Sequence, residues 1–189
     1  MNRTEIEKGC WVLQPKKAKA RQRYQTYLMD AGSCAILLGC PPAAEQSDLT
    51  KEIQRTLPGK PLRYAVLFGT EYDIAGLQAL CLRYPELTVI AGKTLLFALK
   101  ELGKLPGKSI EIRAKRRLKL GERELEFSIP AGLRETPSLR VTDRGSGRIF
   151  TAEGLGIERA QPQEATRKGN KPLVAVVHSG SDSIRVLSE

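Results

Sequence analysis

The chain has 189 residues, 41% of them hydrophobic, enough for one core of ordinary size or for one domain with a fragment of a second. Its 31 lysines and arginines against 21 aspartates and glutamates leave a formal net charge of +10, which favours an anionic partner: nucleic acid, an anionic membrane surface or an acidic protein face. No apolar run approaches the roughly 20 residues that cross a bilayer, and Met1 to Lys8 is too polar for the core of a signal peptide, so a cytoplasmic or stromal compartment is expected.

In chain order, Trp11 to Leu13 predicts a short strand, followed by the basic loop Lys16, Lys17, Lys19, Arg21 and Arg23. Gln25 to Asp30 and Ser33 to Leu38 predict a hairpin about Ala31-Gly32. After Pro41-Pro42, Ser47 or Asp48 is placed to cap a helix from about Leu49 to Leu57, closed by Pro58-Gly59. Leu62 to Phe68 is nearly all apolar after its arginine, as a strand covered on both faces must be, and it runs into a loop of clustered carboxylates, Glu71 and Asp73. A helix over Ile74 to Arg83 puts Leu77, Leu80 and Cys81 on one side, a strand follows from Leu87 to Ala91, and Thr94 to Leu102 forms the next helix.

From Ser109 the pattern predicts antiparallel strands: Ile110 to Ile112, Arg117 to Leu120, a turn at Gly121-Glu122, and Glu124 to Ile129, where Leu125, Phe127 and Ile129 alternate with polar residues. Leu139 to Thr142 and Arg148 to Thr151 flank a last turn. Residues 157–170 are poor in apolar side chains and read as a linker. Beyond it, Pro172 to Val177 predicts a strand, then come Ser179, Ser181 and Ser183 and a helical start at Ile184.

Candidate chemistry is sparse. The four cysteines, Cys10, Cys34, Cys40 and Cys81, form no C-x-x-C pair and read as small buried hydrophobes. The single histidine, His178, stands at a strand end with no third group to orient it toward Ser179. A second basic run, Arg113, Lys115, Arg116, Arg117 and Lys119, precedes the turn at Gly121, and it reads either as a solvated surface or as an anion-binding one.

Several motifs carry a family resemblance. Tyr24-Gln25-Thr26-Tyr27-Leu28 resembles the T-Y-N-S-Y/F-L-I strand of flavodiiron proteins, especially the cyanobacterial diflavin ones, and Phe68 to Ile74 stands where they have H-x-E-x-D-H. Leu118 to Gly121 and Leu125 to Phe127 resemble their L-x-L-G and L-x-F. Leu133 to Leu139 is similar to L-H-W-P-D-S/T-M, and Ile149 to Gly156 to L-F-S-x-D-A-F-G. The resemblance implies a mixed α/β (α+β) fold with a partial metallo-β-lactamase-like αββα sandwich over residues 1–156, a linker over 157–170, and over 171–189 a fragment similar to the first strand and phosphate loop of a flavodoxin. It also implies a degenerate metal site. Glu71 and Asp73 are retained, Gly69, Ile74 and Arg134 replace ligand histidines, and Glu153 replaces the bridging aspartate.

Family members use di-iron and FMN to reduce oxygen or nitric oxide, with head-to-tail dimers bringing the flavin of one subunit to the metal of the other. A first-row metal site of mixed nitrogen and oxygen ligands needs imidazoles that this segment lacks, and a guanidinium at Arg134 would instead pair with the carboxylates. No metal or cofactor is therefore expected in this chain, and Ser179, Ser181 and Ser183 form a vestigial FMN phosphate loop. The implied function is a non-catalytic assembly or regulatory subunit, as a homodimer or as a hetero-oligomer with flavodiiron-type subunits, helped by a sheet face left uncovered by the missing half-sandwich. Two alternatives stay open: a basic nucleic-acid-binding module on the same scaffold, and an active flavodiiron-type oxidoreductase with unusual ligands.

Overall fold

Strands that are apolar on both faces need a layer on each side, and this chain supplies two different ones. A computed structural model describes residues 1–16, 25–69, 71–103, 107–113, 115–129, 139–152, 158–159, 174–176 and 185–187; residues 71, 72, 115 and those from 158 onward are described for their backbone only. The strands β1 (Asn2–Glu7), β2 (Cys10–Gln14), β3 (Thr26–Asp30), β4 (Ala35–Leu38), β5 (Leu62–Val66), β6 (Thr88–Gly92) and β7 (Lys108–Ile112) form one sheet in that order. The first four pair antiparallel, and β4 to β7 pair parallel. Parallel neighbours require crossovers, here α1 (Gln46–Thr56), α2 (Glu71–Arg83) and α3 (Lys93–Glu101). The second sheet is an antiparallel meander of β8 (Lys115–Leu120), β9 (Arg123–Ser128), β10 (Arg140–Asp143), β11 (Arg148–Phe150) and β12 (Glu158–Arg159). A separate antiparallel pair joins β13 (Val174–Val176) to β14 (Arg185–Leu187).

The two-residue period of a strand sorts β4 between two cores. Ala35 and Leu37 face the helices, where Leu49, Ile53, Leu77, Leu80 and Leu99 cover them. Ile36 and Leu38 face the second sheet, packing in one cluster with Tyr27, Leu125, Phe127, Val141 and Phe150. The Tyr27 and Phe150 rings meet edge to face at 5.0 Å. Among the described residues no helix covers the second sheet, so the layering is helices, sheet, sheet. The expected mixed α/β, partial-sandwich architecture is the one observed.

The rim opposite the parallel strand ends is closed by Arg123. It lies in phase with Leu125 and Phe127, and its guanidinium donates to the carbonyls of Asp30 (2.9 Å), Gly9 (3.1 Å) and Lys8 (3.2 Å) and to the buried Asp143 carboxylate. Arg148 Nε holds Glu7 at 2.9 Å beside it. The first hairpin is thereby tied to the second sheet.

Five local expectations need correction. Asn2–Glu7 is a strand, missed because an edge strand with mostly exposed charged side chains shows no apolar alternation. The first long helix starts at Gln46 behind a 3-10 turn over Ala43–Glu45 and has no side-chain cap, so Ser47 and Asp48 lie inside it. Lys108–Ile112 pairs parallel with β6 and closes the first sheet; the change to antiparallel pairing comes one strand later than expected. Glu158–Arg159, placed in the linker by composition, pairs with β11. Arg185–Leu187 is a strand where a helix was expected. The outer face of the second sheet carries Arg117, Lys119, Glu124 and Glu126.

Candidate functional site

The turn from β5 into α2 is where the carboxylate motif falls. Leu67 N–H donates to Ile90 O at 2.9 Å, carrying the sheet ladder one residue past β5, and Phe68 is buried between the sheets. Phe68 O accepts from Leu139 N–H at 3.1 Å, which docks the return of the second sheet on this turn. Gly69 then adopts φ +105°, a region closed to side chains with a Cβ except at considerable strain. The helix begins at Glu71, three residues earlier than the apolar pattern suggests, so both carboxylates belong to its first turn and not to a loop. A carboxylate there is favoured by the exposed N–H groups and the helix dipole.

Asp73 uses that position structurally. It is 1% exposed. One oxygen accepts Cys40 N–H at 2.7 Å and the other accepts Gly69 N–H at 3.0 Å, stapling the end of β4 and the end of β5 to α2. Behind it, Gln46 Nε2 donates to Pro41 O at 2.7 Å. Gly76 lets α2 approach this loop: a Cβ there would lie 1.9 Å from Pro41 O. Burial first, and then the Asp73 charge, push the Cys40 thiol well above its ordinary range, so it is a neutral buried group.

Of the residues singled out by sequence, Gly69 and Asp73 are brought into direct contact. Ile74 instead packs against the core beneath the helices. Glu71 heads the helix with its side chain outside the described residues, as are Arg134, Glu153, His178, Ser179, Ser181 and Ser183 in full. Among the described residues no group of three or more His, Cys, Asp or Glu side chains could hold a metal ion. The donor chemistry at the turn does not fit a transition metal either: Gly69 and Ile74 offer no ligating side-chain atom, which leaves Asp73, hydrogen-bonded to two backbone N–H groups, without an imidazole beside it.

A cleft of about 470 Å³ opens beside the turn at the carboxyl ends of β5, β6 and β7, lined by Phe68, Gly69, Lys93, Thr94, Glu111 and Arg113 among others. Parallel sheets place ligand sites at this end. Arg113 Nε sits 3.1 Å from Glu111 Oε1, so the charges on its lip partly offset one another. Sequence reasoning had not singled out Lys93 or Thr94 for this cleft; their position directly after a strand, at the start of α3, was the available signal.

No family model matches the chain, and no curated protein matches it. Solved structures do. It is similar to the flavodiiron protein of Giardia intestinalis, with 20% identity, TM-score 0.69, 87% of this chain and 42% of that one covered. A fragment of a putative diflavin flavoprotein from a Nostoc species gives 18% identity and TM-score 0.67 over 86% of this chain and 71% of that one. A metallo-β-lactamase from Pontibacter korlensis gives 16% and 0.65 over 79% and 69%. The chain thus spans under half of the Giardia protein. No helix among the described residues is long and apolar enough to cross a membrane. The architecture is that of the metallo-β-lactamase fold, which the flavodiiron proteins share.

Proposed function

We propose that this chain is a metal-free, non-catalytic relative of the flavodiiron reductase domain and serves as an assembly or regulatory subunit. One observation carries the reading. At the turn where the fold's metal ligands are expected, Gly69 holds φ +105° and Asp73 spends both oxygens on backbone N–H groups. The backbone itself has been rebuilt for a glycine, and a histidine there would have to change it. The retained carboxylate supports the helix start, and among the described residues no further His, Cys, Asp or Glu side chains gather with it to complete a cation site.

Association is supported by the helical layer, where Leu82, Phe97 and Leu102 are exposed large apolar side chains. A homodimer, or a mixed oligomer with an intact flavodiiron-type subunit, would cover them. The test is co-expression of the full chain with such a subunit, followed by co-purification and measurement of oxygen consumption per flavin. Comigration, with Phe97→Glu weakening it, is the expected result. A strictly monomeric chain that ignores the intact subunit contradicts the assembly role.

A further inference from the structure

We infer that the outward face of α3 docks on the same face of a second copy of this chain, antiparallel about a two-fold axis at Phe97. This assigns a surface and a partner to the association proposed above, and it rests on that reading. In α3, Leu96 and Leu99 are buried beneath the helix, while Lys93, Thr94, Phe97, Lys100 and Glu101 are exposed. Residues four apart share one row of a helix. Lys93, Phe97 and Glu101 therefore run in line down this face: a cation, a 64% exposed aromatic ring and an anion.

An antiparallel mate turned about Phe97 sets position 93 against 101 and position 94 against 100. Lys93 of each copy then meets Glu101 of the other, the two Phe97 rings meet at the axis, and Thr94 stands across from Lys100, so no like charges lie directly opposite one another. The row is complementary to itself, as an isologous contact requires. Each charge lies about 6 Å along the axis from Phe97, and at an interaxial distance of about 8–10 Å the long side chains span the gap. Leu102, 57% exposed just past the helix, extends the apolar part at both ends.

Within one copy these two charges are poorly placed. Lys93 opens the helix and Glu101 closes it, whereas the helix dipole favours an anion at the start and a cation at the end. Lys100 complements the dipole, but Glu101 opposes it. Neither Lys93 nor Glu101 forms an ion pair or a side-chain hydrogen bond among the described residues. An antiparallel mate gives each its opposite and sets the two dipoles head to tail. A single exposed apolar side chain is ordinary; one centred between opposite charges that both oppose the dipole fits a mate. In the same layer, α1 exposes Ser47, Asp48, Lys51, Gln54 and Arg55 and no large apolar side chain, so the pattern belongs to α3 and not to the layer.

The seam is short, about 14 Å of helix, and buries less than the roughly 800 Å² per partner of a standard interface, so the dimer is weak and concentration-dependent. The test is sedimentation equilibrium of the full chain alone at about 0.15 M salt, with a dissociation constant expected at about 10–100 µM. Lys93→Glu and Glu101→Lys should each weaken self-association about tenfold or more, because each places like charges face to face twice. Both changes bring the helix ends into line with the dipole, so neither variant should melt earlier than the native chain, and lost association is then not unfolding. Mixed one to one, the two variants should pair with each other at close to native strength, and Lys93→Glu/Glu101→Lys should recover the homodimer. A native chain that stays monomeric up to about 500 µM, single reversals without effect, or single variants that fail to pair with each other would each overturn the inference. A chain that is monomeric alone yet co-purifies with an intact flavodiiron-type subunit would overturn it and leave the assembly reading standing.

Discussion

Replacing Asp73 by alanine separates a structural carboxylate from a vestigial metal ligand. The side chain is 1% exposed and accepts two backbone N–H groups, from Cys40 at 2.7 Å and Gly69 at 3.0 Å. Truncation leaves both donors buried without this partner, at about 1–3 kcal/mol each, and forfeits the helix-terminus interaction, about 0.5–1 kcal/mol. Relief from burying a charge offsets part of this, giving a net loss of about 3 kcal/mol. With a urea slope of about 2–3 kcal/mol per molar for a domain of this size, the unfolding midpoint should fall by about 1–1.5 M. Asp73→Asn keeps one carbonyl acceptor and should lose about half as much. Both shifts should be the same with and without a strong chelator. A change within about 0.5 kcal/mol, or a loss that disappears when metal is removed, would refute the structural role.

Other consequences follow from the same contacts. Alanine is the better helix former than glycine by about 1 kcal/mol, yet Gly76→Ala should destabilise by about 2 kcal/mol or more, because its Cβ would lie 1.9 Å from Pro41 O and the backbone there must shift; a stabilised variant in thermal melts would contradict the packing. Arg123→Ala should cost about 3–5 kcal/mol in denaturant unfolding, since it removes the cation paired with the 1% exposed Asp143 carboxylate, which then retains the Gly145 N–H, and the guanidinium donor to Asp30 O, while Arg123→Lys recovers only part of the loss. Burial holds the Cys10 thiol up to about 12 and Cys81 up to about 11, and raises Cys40 too. The unfolded chain therefore releases these protons first. The stability they contribute is fully present below pH 9 and declines as pH rises through the folded values, by about 1 kcal/mol per thiol between pH 9 and 10. A flat stability profile from pH 8 to 10 would count against their burial.

Sequence alone reached the core of this fold because its period is strong there. Leu62 to Val66 needed two covered faces, and the alternation of Leu125 and Phe127 needed one; both are as expected. What stayed hidden had no apolar signal. Asn2–Glu7 is an edge strand built from charged residues, and β7 gives no local sign of whether it pairs parallel or antiparallel. At the site, residue type was legible and geometry was not. That Gly69 and Ile74 offer no imidazole is plain from the sequence, but the start of α2 at Glu71 goes with a bond from Cys40 N–H to Asp73, thirty-three positions apart, that no local pattern announces. Arg123 carried a readable clue, a charge in phase with Leu125 and Phe127, whose meaning emerges only when the sheets are brought together.

Metal analysis of the purified full chain, expressed with iron and manganese supplied in excess, decides whether the turn from β5 into α2 forms a metal site. Metal well below one ion per chain, with no change in thermal unfolding when a chelator is added, is the predicted result. A stoichiometric, redox-active dinuclear iron centre in the native chain would contradict it.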